Sequence, residues 1–154
     1  MAKAMEVAKF LLYLKEHDPR GLKLSNLKLQ KLLYYSHGYY LALHNKLLIH
    51  DRFLEAWKYG PVIPDIYHNF NSFGSGDIKI NDNSLGKIEL NDIEKSIIAY
   101  VWKEYGEFTG GQLIDKSHSE SPWLNAFTEN KNNIIENKDI EKYFNKNMSN
   151  KLIT

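Results

Sequence analysis

Cysteine is absent from the 154 residues, which removes disulfide frameworks, thiolate nucleophiles and cysteine-based zinc sites together. Such a chain suits a reducing cytoplasm. Arginine stands only at positions 20 and 52, so the guanidinium fork that reads guanine edges is scarce and sequence-specific DNA binding is disfavoured. Excess charge of one sign is missing too. The 20 basic and 19 acidic residues leave a formal net charge of +1, and no global field would draw the protein onto nucleic acid or an anionic membrane. Stretches such as Phe10 to Leu14 and Tyr39 to Leu43 fall far short of the ~20 apolar residues of a membrane helix, and charges occupy the N-terminus where a signal peptide would be apolar. A cytoplasmic protein is expected.

What is present is a core. Hydrophobic residues make up 43% of the chain and aromatic residues 13%, which argues against disorder and for a well-packed interior. The length suits one domain over residues 1–154, stabilised without metals or cross-links.

Val7, Phe10, Leu11 and Leu14 recur at helical spacing opposite Lys9, Lys15 and Glu16, predicting an amphipathic helix over Ala4–Glu16. Asp18-Pro19-Arg20-Gly21 ends it. Ser25 is placed to cap a second helix to about Leu43, closed by an Asn45-Lys46 turn. Leu29, Leu32, Leu33, Ser36, Tyr39, Tyr40 and Leu43 fall on one broad face, and Leu27, Tyr34 and Leu41 form a second apolar strip. A helix apolar on two sides is sandwiched at the centre of a fold. Gly38, one turn before Ala42, predicts close approach of another helix. Between the strips run Gln30, His37 and His44. Two histidines at i and i+7 lie roughly 10 Å apart along the axis, too far to share one ion, so a solvated or locally hydrogen-bonded stripe is expected.

Further on, Leu47 to Ile49 and Phe53 to Trp57 are β-compatible. Asp77 to Ile80 and Lys87 to Leu90 alternate around Asn81-Asp82-Asn83-Ser84, reading as a second hairpin. Pro64 suits the first turn of a short helix through about Phe70. Asn91 with Glu94, and Thr109 with Gln112, are capping-box pairs for helices to about Tyr105 and Ser117. Ser121-Pro122 reads as an N-cap and a first helical position, and Asn137 or Asp139 begins a last helix through Phe144. The polar tail from about Asn145 is expected to fray. The fold class is α+β, predominantly helical, with a central buried helix and short β-hairpins packed at one side.

Glu55 to Tyr67, EAWKYGPVIPDIY, places a Trp, two Tyr, a Gly and two Pro within thirteen positions. Proline sets φ near −65° and pushes the preceding residue to extended backbone, so Gly60-Pro61 and Ile63-Pro64 each predict a bend. Trp57, Tyr59 and Val62 then sit on a stiff corner, either a packed connection between a strand and a short helix or a platform for a partner. Asp115, Ser117, His118, Glu120, Ser121 and Trp123 crowd into nine residues and superficially supply a triad. A working triad draws its members from separated elements, and Ser121 is better explained as a cap, so no catalytic residue is assigned. Lys23, Lys28 and Lys31 around Ser25 suggest a DNA-recognition helix. Leu27, Leu29 and Leu32 commit that helix to the core and leave Lys28 and Lys31 as its solvated edge.

The run Ser25 to Tyr35, then Gly38 to Ala42, then Glu55 to Tyr67, and finally Ser117-His118 with Ser121-Pro122-Trp123, resembles in order the Panacea antitoxin domain family, which includes SocA-like, phage-associated proteins. The resemblance implies a bacterial or prophage antitoxin that neutralises a cognate toxin encoded nearby by direct binding. The residues themselves offer no catalytic set and no metal or cofactor site, so a non-enzyme is expected. The resemblance leaves open whether the toxin is masked or delivered to a protease, and whether the chain self-associates. The domain fills the chain, so no separate DNA-binding module is expected. Aromatic residues are enriched at interface hot spots, and Trp57, Tyr59 and Pro61, with His118 and Trp123, are the expected toxin-binding residues. A DNA-binding regulator using Lys28 and Lys31, or a small hydrolase centred on His118, are the alternatives.

Overall fold

The computed structural model describes residues 2–152, and side chains over residues 2–148. In chain order the elements are α1 (Ala4–Glu16), α2 (Asn26–His44), β1 (Glu55–Trp57), β2 (Gly60–Val62), α3 (Pro64–Asn69), a 3-10 turn (Asn71–Phe73), α4 (Asp82–Leu85), α5 (Asp92–Tyr105), α6 (Gly110–His118), α7 (Ser121–Ala126), β3 (Asn133–Ile134) and α8 (Asn137–Leu152).

Helix α2 is the axis of the molecule. Every residue from Lys28 to Leu41 is buried, because α1, α3, α5, α6, α8 and β2 all pack on it. Its start is fixed by the Ser25 hydroxyl, which accepts from the Lys28 N–H, and its end by Asn45 in the left-handed region at φ 56°. Leu29, Leu32 and Leu33 are fully enclosed, each contributing on the order of 2 kcal/mol by burial. The close approach expected at Gly38 is that of α8: a Cβ on Gly38 would collide with the Phe144 ring. Both capping boxes form, Asn91 with Glu94 at α5 and Thr109 with Gln112 at α6.

The three strands form one antiparallel sheet in the order β2-β1-β3, with Trp57 opposite Gly60, Ala56 opposite Pro61, and Glu55 between Val62 and Ile134. The hairpin therefore lies inside the aromatic and proline block. Gly60-Pro61 continues as strand instead of bending away, since β2 is an edge strand, where a proline leaves no ladder bond unmade. Lys58 and Tyr59 have negative φ, and Gly60 at φ 102° completes the reversal. Ile63-Pro64 does turn, into α3 with Pro64 in its first turn.

Other boundaries differ from expectation. Residues 47–49 do not pair with 53–57; Ile49 bridges Ala2 instead. Residues 77–80 and 87–90 form no hairpin, because Ile78 N–H donates to Leu24 O and Asp77 Oδ1 accepts from Leu24 N–H, drawing that segment to the start of α2. Helix α7 begins at Ser121 with Glu120 in the cap position, its side chain making no cap bond. Helix α8 runs past Asn145 to Leu152, with Met148 buried. The remainder of the expected tail, 153–154, lies outside the described residues.

Candidate functional site

A cleft of about 770 Å³ opens between the turn of the β1–β2 hairpin and the loop over residues 129–132, floored by the end of α6 and by α7. Lys58 and Tyr59 form one rim, Asn130 stands on the other, and His118, Trp123 and Phe127 line the interior. Those three rings stack in series. His118 lies on Trp123 at 4.1 Å between centroids and 23° between planes, and Phe127 covers the opposite face at 4.5 Å and 17°. Phe127 follows Trp123 by four residues, one helical turn, which is the spacing that brings side chains into register. Tyr59 is 53% exposed, with the Lys58 ammonium 5.7 Å from its ring centre.

The expected partner-binding residues divide. Tyr59, His118 and Trp123 reach this cleft from three separate elements. Trp57 does not line it: its ring meets Tyr67 edge-on at 5.3 Å and its N–H donates to Glu55 at 2.9 Å. Pro61 is buried in β2. Both residues support the cleft through their main-chain carbonyls, Trp57 O accepting from the Trp123 indole at 2.8 Å and Pro61 O from Lys31 at 2.9 Å.

His118 Nε2 is buried without a hydrogen-bond partner among the described residues. Asp115 shares the cleft, but Ser117 Oγ donates to Ile114 O, so the nine-residue inventory assembles no Ser–His pair. His37 is held locally: Nδ1 accepts from Ile49 N–H at 3.2 Å, leaving Nε2 to donate to Asn137 Oδ1 at 2.8 Å, while burial lowers its pKa. Among the described residues no three His, Asp or Glu side chains are grouped to hold a metal, and no helix is long and apolar enough to cross a membrane.

Lys28 and Lys31 are not a solvated edge. Lys28 reaches inward to Lys23 O at 2.7 Å and Gly106 O at 2.5 Å, and burial pushes its ammonium down to about 8. Lys31 is completely enclosed, and burial pushes it down to about 7. Their amines are committed to main-chain carbonyls and are withdrawn from any phosphate contact. Glu120, also buried, accepts from Tyr34 at 3.0 Å and Tyr35 at 3.1 Å, and pairs with Lys116 at 3.2 Å. Burial raises its pKa more than the Lys116 charge lowers it.

The family model described as "Antitoxin SocA-like, Panacea domain" matches residues 29–124, more than half of the chain. The chain belongs to the SocA-like Panacea antitoxin family. Antitoxin SocA of Caulobacter vibrioides (strain NA1000 / CB15N) is 35% identical over 113 residues, covering 66% of this chain and 59% of that relative. The chain thus matches less than two thirds of that antitoxin's length. No solved structure matches it.

The span shared with the Panacea family contains Trp57, Tyr59, Pro61, His118 and Trp123, and stops short of Phe127 and the 129–132 loop that close the cleft. Sequence reasoning missed Lys58, Phe127 and that loop, although the Trp123–Phe127 spacing was a usable signal. It also missed the pairing of Glu120 with Tyr34 and Tyr35, which come together only in the folded Panacea domain.

Proposed function

We propose that this protein is an antitoxin that neutralises a cognate toxin, encoded nearby in a bacterial or prophage genome, by direct binding at the cleft between the β1–β2 turn and residues 129–132. Membership of the Panacea family and the likeness to antitoxin SocA support the antitoxin role. One observation carries the placement: Tyr59 of the β1–β2 turn meets His118 and Trp123, which come far later in the chain, at one open cleft. The exposed Tyr59 ring supplies the aromatic contact area that interface hot spots use.

On this reading the protein works as a stoichiometric partner in the cytoplasm. The test is growth. Co-expression of the neighbouring toxin gene with the wild-type chain restores growth, and Tyr59→Ala or His118→Ala, each folded by circular dichroism, restores it less. Full rescue by both variants would remove the cleft from the interface, and failure of the wild-type chain to rescue would remove the antitoxin reading.

A further inference from the structure

The first two turns of α2 hold the main chain that runs from β2 into α3. Lys31 Nζ donates to Pro61 O at 2.9 Å, Gln30 Oε1 accepts from Ile63 N–H at 3.0 Å, and Asn26 Nδ2 donates to Tyr67 O at 2.8 Å while its Oδ1 accepts from Gln30 Nε2. Three side chains of one helix thus grip three main-chain groups in sequence. Gly60 is shaped to this grip. A Cβ there would stand 2.5 Å from Lys31 Cε and 2.8 Å from Ser117 Oγ, so the lysine stem lies directly against the hairpin backbone.

No counter-charge accompanies Lys31. It has no ion pair among the described residues, and burial is the sole cause of its depressed basicity. The titratable groups on the elements packed around it are engaged elsewhere. Glu55 accepts from the Trp57 indole, Lys58 lies over Tyr59, Asp115 and His118 face the cleft, and Lys116 pairs with Glu120 beside Tyr34 and Tyr35. The hydrogen-bond acceptor that Lys31 does meet, the Pro61 carbonyl, is neutral.

We propose that Lys31 is the positioning residue of the hairpin: uncharged, its amine bolts β2 to α2 through Pro61; charged, it is drawn toward water, and the hairpin carrying Tyr59 lifts from α2 as a local unit. An enclosed ammonium without a carboxylate is costly, and opening the hairpin to which it is bonded hydrates it. The sign follows from linkage. In the closed hairpin Lys31 titrates at about 7; in the opened one it regains the ordinary value of 10.5. The opening equilibrium therefore grows about tenfold for each pH unit lowered between those values, and levels off below the closed-state value. Near neutral pH the hairpin is close to its loosest, which leaves the Tyr59 rim adjustable when a partner arrives. Only this last consequence rests on the proposed toxin-binding role.

Hydrogen exchange followed by mass spectrometry on the free protein tests the device without a toxin. Exchange is measured from pH 6 to 9.5, corrected for intrinsic rates, on peptides covering residues 55–63, with α5 as the reference. The opening constant of the hairpin is expected to be level from pH 6 to 7, to fall about tenfold per unit above that, and to exceed that of α5 at every pH, while Lys31→Met is flat throughout. A flat wild-type hairpin, a persisting slope in Lys31→Met, or a hairpin opening constant no larger than that of α5, which marks global unfolding, would each overturn the proposal. Should Lys31→Met fail to fold, the wild-type hairpin and α5 profiles decide alone. Because no toxin enters, failure here is separate from failure of the antitoxin reading, which the growth test addresses.

Discussion

The indole N–H of Trp123 donates to the main-chain carbonyl of Trp57 across 2.8 Å, tying the helix that floors the cleft to the strand that leads into its rim. Trp123→Phe keeps an aromatic ring for His118 and Phe127 to cover and removes that bond. A lost hydrogen bond costs about 1 kcal/mol, and the smaller ring adds a cavity cost. A thermal melt should show the midpoint lowered by several degrees for a domain of this size, with the far-ultraviolet circular dichroism of the folded state unchanged.

Gly60 takes φ 102° with Lys31 and Ser117 packed where a Cβ would go. Gly60→Ala combines a conformation that alanine rarely adopts with contact against two buried side chains. The strain is worth about 1–3 kcal/mol before any clash is counted. Urea denaturation should give a lower midpoint with an unchanged slope, reporting lost stability and not altered compactness.

At the other side of α2, Gly38 admits the Phe144 ring of α8. Gly38→Ala should destabilise by about 1–3 kcal/mol through overpacking. Phe144→Leu made alone should also destabilise. The two together should cost less than their sum, because the smaller side chain makes room for the new methyl group. Strict additivity in that double-mutant cycle would contradict the packing described.

Glu120 is buried against Tyr34 and Tyr35, and burial raises its pKa. An acid whose pKa is raised by folding contributes stability that is present below its unfolded value of about 4.5 and is lost as pH rises through the folded value. Glu120→Gln cannot ionise. The stability of Glu120→Gln relative to wild type should therefore increase as pH is raised from about 4.5 toward neutrality, measured by urea denaturation at each pH. A difference that stays constant with pH would mean that the carboxylate is ionised at no cost.

The elements governed by neighbouring residues were legible in the sequence. Ser25 with the Lys28 N–H, Asn91 with Glu94 and Thr109 with Gln112 are contacts within four residues, and each formed where the pattern placed it. The two apolar strips on α2 foretold its burial, and Gly38 its close neighbour. Lys28 and Lys31 were misread because a lysine in a sequence is assigned to solvent, and only the folded chain reveals carbonyls waiting for their ammonium groups. The hairpin was hidden for a related reason: proline argues against a strand unless the strand is known to be an edge. Tyr59, His118 and Trp123 were named from composition and resemblance, but their meeting at one cleft, and the departure of Trp57 and Pro61 into supporting positions, depend on tertiary packing that no local pattern encodes.

The central claim is that the cleft at Tyr59 receives a toxin protein. Isothermal titration of the purified chain with the proposed toxin tests this most directly, comparing wild type with Tyr59→Ala, a change at an exposed side chain that leaves the core untouched. The account predicts a saturable complex for wild type and an affinity at least about tenfold weaker for Tyr59→Ala, equivalent to about 1.4 kcal/mol. Equal affinity in the two proteins would contradict it.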